Sequence, residues 1–200
     1  MTRAQPPHRT RTPSADVSDS LLDAALALLA EGGMDAITVR AVASHAGVAP
    51  MGVYSRFGGK DGLLEALFVA GFDGLGAAIN GASGPDAVAR LRNGCRAYRV
   101  FAVEHPHHYQ LMFEQMLELE LAPESLDRAA ATFGQLVGRV EDAMAAGQLG
   151  AGDSVDAAQQ VWSAMHGAVS LEIAGITFSN DPARTFEAML DSLLRGLATG

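Results

Sequence analysis

Two hundred residues, 48% of them hydrophobic, suffice for one ordinary domain with a packed core plus a smaller second one, which excludes disorder along most of the chain. The single cysteine, Cys95, excludes an internal disulfide, no stretch reads as a cleavable export signal, and the longest uncharged apolar run, around residues 161–171, is too short to span a bilayer. A cytoplasmic protein with no membrane partner is expected. The net charge of −9 argues against a nucleic-acid partner until its distribution is read. Residues 1–60 carry six basic side chains (Arg3, Arg9, Arg11, Arg40, Arg56, Lys60) against five acidic ones, whereas the remainder carries 8 basic and 18 acidic. One end of the chain is suited to an anion and the other is not.

Residues 1–15 hold three Arg and three Pro without apolar periodicity, and predict a flexible arm whose arginines add phosphate or minor-groove contacts. From Asp16, Leu21, Leu22, Ala25, Leu28 and Leu29 fall on one helix face, with Asp16 or Ser18 as N-cap and Gly32-Gly33 as the stop. Thr38 caps a shorter second helix with Val42 and Ala43 inward, which Gly47 ends. Pro50 opens a third helix with Val53 and Phe57 inward, and Lys60-Asp61 a fourth that reaches Gly81. Three such helices, the second and third joined at Gly47, make a helix-turn-helix unit whose third helix can enter the major groove.

The run TVRAVASHAGVAPMGVYSRFGGKDGLLEAL, with Thr38, Ala46-Gly47-Val48, Tyr54, Phe57, Lys60 and Leu63-Leu64 in register, resembles the N-terminal domain of the TetR family of bacterial transcriptional regulators. Ala49 departs from the family's usual Ser or Thr at that point, a loss of about 1 kcal/mol of capping.

Beyond a hinge at Ser83-Gly84-Pro85, an amphipathic helix places Val88, Leu91, Cys95, Tyr98 and Phe101 on one face. Its arginines, Arg90, Arg92, Arg96 and Arg99, read as a solvated row balanced by Glu114, Glu118 and Glu120. A short segment with Tyr109, Met112, Phe113 and Met116 follows, and a helix from Pro123 carries Leu126, Ala130, Phe133, Val137, Val140 and Met144 inward. Residues 155–178 are apolar nearly all round, and the last helix shows Phe186, Leu190, Leu193, Leu194 and Leu197 in one stripe. Such helices need cover that a small bundle cannot supply, so a homodimer through the last two helices is expected. Trp162, His166 and Gly167 in WSAMHGAVSLEIAG, with YRVFAVEHPHHYQLMF, resemble the WHG subtype of TetR C-terminal domains.

The expected architecture is all-α, with about nine helices: an arm (1–15), a helix-turn-helix domain (16–60), and an effector-binding and dimerisation bundle (61–200) to which helix 61–80 is the link. For DNA, the reading helix presents Pro50, Met51 and Gly52, of which Pro50 and Met51 offer only apolar contacts, so Arg40 is the residue suited to bidentate pairing with guanine. Tyr54, Arg56 and Lys60, the only lysine, suit phosphates, and the resemblance places Tyr54 and Lys60 in that role; Thr38 is a further DNA-binding candidate. For a ligand, Phe101, His105, Tyr109, Met112, Phe113, Phe133, Trp162, Met165 and His166 form an inward set, with His166 and Tyr109 as polar handles and Glu172 as a weaker one. His105, His107 and His108 lack metal-ligand spacing, no cofactor motif is present, and no nucleophile motif or carboxylate pair suggests an enzyme. The expectation is a repressor that binds a palindromic double-stranded operator and is released by a small apolar or aromatic effector; the alternatives are an activator of the same fold and a small-molecule binding module without specific DNA recognition.

Overall fold

The computed structural model describes residues 14–198. Residues 1–13, most of the expected arm, lie outside them. Among the described residues there are nine α-helices, two short 3₁₀ turns and no strand. The chain divides into two compact units, Met1–Ala66 and Leu67–Gly200, a boundary that falls inside the fourth helix rather than at its start.

In the first unit, α1 (Ser14–Gly32) buries Leu21, Ala24, Ala25 and Leu29, one stripe of a 3.6-residue period. Asp16 and Ser18 lie within this helix and so are not its caps: it runs from Ser14, upstream of both. After a 3₁₀ turn (Gly33–Ala36), Thr38 caps α2 (Val39–His45), its Oγ1 accepting the Ala41 N–H at 3.1 Å. The end of α2 explains the glycine at 47. The Gly47 N–H reaches the Ser44 carbonyl at 3.2 Å and the Val48 N–H reaches Ala43 at 2.9 Å, a paired closure that needs a left-handed residue, and Gly47 has φ +67°. Pro50 then sits in helical conformation at the N-cap of α3 (Met51–Phe57), which buries Val53 and has no side-chain cap. Helix α1 packs against α2 and α3.

The step from α3 into α4 (Lys60–Gly81) is the tightest in the unit. A Cβ on Gly62 would stand 1.9 Å from the Phe57 carbonyl oxygen, so no other residue fits without moving backbone. By length and composition alone α4 could cross a bilayer, but Leu63, Leu64, Leu67, Phe68, Phe72, Leu75 and Ile79 are buried inside the protein.

In the second unit, α5 (Ala87–Glu104) is capped by Asp86, whose Oδ1 accepts the Ala89 N–H at 2.8 Å, and it packs against α6 (Pro106–Phe113), α7 (Pro123–Ala145) and α8 (Ser154–Ile173). Helix α7 also packs on α8, and α8 on α9 (Pro182–Ala198). The arginine row of α5 is not balanced by Glu114, Glu118 and Glu120. Instead Arg90 pairs with Asp142, Arg92 with Asp191, Arg96 with Glu187 at 2.7 Å, and Arg99 with Glu172 through two bonds of 2.9 and 2.5 Å. These acids lie on α7, α8 and α9, which α5 faces, so the row is a set of inter-helix ties. Glu172, a weaker candidate for the ligand, is consumed by one of them.

Helix α7 is turned about one residue from the expected face. Its buried line is Ser125, Thr132, Leu136, Val140 and Ala143, while Leu126 is 43% exposed and Phe133 half-buried. The buried line includes the small and polar residues Ser125, Thr132 and Ala143, which a pattern of large apolar residues does not mark.

Candidate nucleic-acid interface and apolar cavity

Every residue expected to meet DNA lies in the first unit and at its surface, except Gly52. Met51 is 71% and Tyr54 53% exposed; Thr38, Arg40, Pro50, Arg56 and Lys60 are also exposed. A Cβ on Gly52 would face Val48 at 3.5 Å and Leu21 at 3.9 Å, so this position turns inward and offers backbone only. The Tyr54 ring lies along Gly59, 3.8 Å from where its Cβ would be, and the residue is more than half exposed. Thr38 has a structural duty as the α2 cap, but its hydroxyl proton remains available. Among the described residues Arg40, Arg56 and Lys60 form no ion pair, so this acidic protein holds unneutralised cations on its helix-turn-helix unit. Ser55, by contrast, donates its hydroxyl to the Gly52 carbonyl at 3.1 Å.

The second unit holds a partly open cavity of about 240 Å³. Of the nine residues expected at a ligand, Phe113, Phe133, Trp162 and Met165 line it. The others have different posts. Tyr109 and His166 stand behind the wall in a triangle with Tyr98: Tyr98 and Tyr109 hydroxyls are 2.7 Å apart, and His166 Nδ1 is 2.6 Å from Tyr109 and 3.2 Å from Tyr98. Burial pushes the Tyr98 phenol up and the Tyr109 phenol up to about 12, and burial lowers His166 against the opposing pull of Glu114. Burial holds all three neutral at pH 7; in the Nε2-protonated tautomer of His166, Nδ1 accepts from the Tyr109 hydroxyl, which in turn accepts from the Tyr98 hydroxyl.

Phe101 and His105 pack against each other as tilted rings with centroids 5.1 Å apart, Phe101 covering Gly74, and neither lines the cavity. Met112 fills the groove at Gly71 beside His108, whose Nε2 donates to the Leu67 carbonyl at 2.7 Å and is thereby the protonated nitrogen. A Cβ on Gly71 would meet Met112 Sδ at 2.5 Å and His108 Nε2 at 2.7 Å. His107 is within 3.2 Å of Gln110. Gly71, Gly74 and Gly76 of α4 are places where side chains of other helices approach closely.

Sequence reasoning missed the α4 part of the wall, Phe72, Leu75 and Ile79, although their spacing of three and four was visible. It also missed Tyr98, Cys95 and Gly94 of α5, and Thr132, Leu136 and Arg139 of α7. Tyr98 and Cys95 were already on the inward face. Arg139 gave no signal, because an arginine on a helix reads as solvated.

Residues 21–67 match the model of bacterial regulatory proteins of the tetR family, and residues 91–193 that of the tetracyclin repressor-like C-terminal domain. The WHG subtype is not the description this second match carries. An uncharacterised HTH-type transcriptional regulator of Mycobacterium tuberculosis is 27% identical over 183 residues, 90% of this chain and 80% of that one. Among solved structures, a protein of unknown function from Rhodococcus sp. RHA1 superposes with a TM-score of 0.83 at 29% identity, covering 98% of this chain and 100% of the other. A bacterial regulatory protein of the tetR family from Rhodococcus RHA1 gives 0.69 at 22% identity over 94% and 98%, a likeness of fold.

Proposed function

Because the chain belongs to the tetR family of bacterial regulatory proteins, we propose that this transcriptional regulator is a ligand-responsive repressor, working in the cytoplasm, that grips a palindromic operator as a homodimer and releases it when a small apolar or aromatic effector fills the cavity. The observation that carries the ligand response is the cavity itself: about 240 Å³ walled by the rings of Phe72, Tyr98, Phe113, Phe133 and Trp162. A cavity of ~150 Å³ takes benzene, so by proportion this one suits a body of about ten non-hydrogen atoms.

For the dimer, the support is an apolar face that the chain itself leaves uncovered. Leu171 of α8 is 49% exposed, Gly167 is exposed and Leu193 and Leu197 of α9 are only half-buried. A two-fold partner offering the same two helices would cover it. Two heads about one helical turn apart, roughly 34 Å, then fit successive major grooves. For the release, α4 supplies Phe72, Leu75 and Ile79 to the wall and begins at Lys60, and α6 carries Phe113 in the wall and His108 on the Leu67 carbonyl. An effector that displaces α6 or rotates α4 alters the spacing of the heads.

The test is binding to the DNA upstream of the protein's own gene, by gel shift and footprinting with excess competitor, repeated with hydrophobic compounds that raise the melting temperature. Sequence-specific binding that weakens with such a compound is the expected result. Binding that strengthens with it identifies a ligand-dependent binder or activator, and resistance of no site to competitor leaves a small-molecule binding module.

A further inference from the structure

The cavity wall is nearly all carbon, with one charged member, Arg139 of α7. Its guanidinium is half-buried and largely spent on backbone. Nη1 donates to the carbonyls of Arg90 at 2.8 Å and Ala82 at 3.3 Å, and Nη2 to those of Ile79 at 2.5 Å and Ala82 at 3.3 Å. Two of the three acceptors stand at the C-terminal end of α4, where the helix dipole is negative. Those oxygens offset the cation with partial charges only. Among the described residues no carboxylate lies within ion-pair distance of Arg139, although all four arginines of α5 and Arg128 have one. The wall's own acids do not supply the missing anion, since burial pushes the Cys95 thiol up to about 12 and the Tyr98 phenol up as well.

One guanidinium donor remains. Four hydrogen bonds account for the four Nη hydrogens, which leaves Nε–H. Nε lies 3.4 Å from the point where a Cβ on Gly94 would stand, and Gly94 is itself part of the wall. The glycine leaves open the space beside the cation that a side chain would fill.

We infer that the cavity selects an anion: an apolar body of about ten non-hydrogen atoms packed against the aromatic wall, carrying a carboxylate that accepts from Arg139. The inference rests on the cavity's being the effector site. Folding has already taken part of the water from the half-buried Arg139, so an arriving carboxylate has less desolvation left to meet than at an exposed arginine. A neutral polar head gains less there, and a cationic head is repelled. The five rings would otherwise suit lipophilic cations, and Arg139 excludes them.

The experiment uses the intrinsic reporter, Trp162, the only tryptophan of the chain and a wall residue. The full-length protein is titrated at neutral pH with cyclohexylbutanoate, cyclohexylbutanol and cyclohexylbutylammonium, which share one hydrocarbon body and do not absorb where tryptophan does. The carboxylate should bind at least about tenfold more tightly than the alcohol, and the ammonium most weakly. An alcohol that equals the carboxylate, or an ammonium that exceeds it, overturns the selectivity while leaving the cavity an effector site. Binding of none of the three overturns the effector-site reading and the selectivity with it. Arg139→Gln should level the carboxylate with the alcohol. Because that change also removes bonds to three carbonyls, Gly94→Ala provides a second variant. Its methyl meets Arg139 and Ile79 at ordinary distances of 3.4–3.5 Å, so the fold should stand while the carboxylate's advantage over the alcohol falls several-fold. A ratio unchanged in Gly94→Ala and in Arg139→Gln overturns the assignment to Arg139.

Discussion

The two units of this regulator treat positive charge in opposite ways. Arg40, Arg56 and Lys60 of the first stand in solvent without an acid, whereas the arginines of α5 in the second are each tied to a carboxylate on a neighbouring helix. The more exposed of these pairs, Arg90–Asp142 and Arg96–Glu187, contribute little to stability, about 0–1 kcal/mol each, but all four remove the charge from reach of a polyanion. The first unit keeps its cations available, and the acidic second unit repels DNA elsewhere. Glycines divide similarly. In the first unit Gly47 and Gly62 shape the joints around α3, while in the second Gly71 and Gly74 admit side chains of α6 and α5 against α4.

The largest effect that would break this contrast is expected at Gly62. An alanine there puts a methyl 1.9 Å from the Phe57 carbonyl oxygen, and backbone has no flexible end to withdraw. A loss of about 3 kcal/mol is expected in urea unfolding, with DNA affinity falling in parallel as the end of α3 shifts. Alanine tolerated at 62 within a few tenths of a kcal/mol would show that the joint is soft. Gly71→Ala should cost less, about 1–3 kcal/mol, since its neighbours are the tips of Met112 and His108. The cost should shrink when Met112→Ala is combined with it; additive costs in the double variant would locate the strain elsewhere.

Smaller again, and confined to binding, is Lys60→Ala. If Lys60 meets a phosphate, as proposed, its removal should lower affinity evenly across sequences and flatten the log–log salt slope by about 0.9. An intact slope removes Lys60 from the interface. Arg40→Ala is the complementary case, expected to relax base preference by about 1–3 kcal/mol at one position if it pairs with guanine, which a base-substitution series on the operator reads directly.

The fold was largely legible because its signals are local. Thr38, Gly47 and Pro50 act through bonds within a few residues, and α4 ends where its periodicity ends. The cavity was less so, because its wall depends on how helices rotate about their axes. Trp162, Phe113, Phe133 and Met165 were found as large inward residues, but the one-residue turn of α7 brought Arg139 inward and left Leu126 outside. Tyr109 and His166 were recognised as inward polar groups, and only the geometry shows that they bond to Tyr98 and each other. The arginine row was misread for the same reason: periodicity places Arg92, Arg96 and Arg99 off the core face but does not say that α8 and α9 bring acids to meet them.

The weakest expected effect separates the units by pH. His108 and His166 both belong to the second unit, and burial lowers the pKa of each below the ordinary value near 6.5; for His108 the neighbouring His105 adds to this and the Leu67 hydrogen bond opposes it. Above that value folded and unfolded chains hold the same protons at these sites, and stability is flat. As pH falls through it, the unfolded chain takes up protons that the folded chain refuses, so folding weakens progressively toward the lowered folded values. Glu187 acts in a separate, lower window. Its hydrogen bonds to Arg96 hold the carboxyl below its usual range, so its contribution is lost only as pH falls below about 4.5. Urea midpoints should therefore decline modestly between pH 7.5 and 5.5, before any carboxylate effect. The change should diminish in His166→Gln and in His108→Gln, whose amide can still donate to the Leu67 carbonyl. A decline of the same size in the double variant would transfer the effect to other groups.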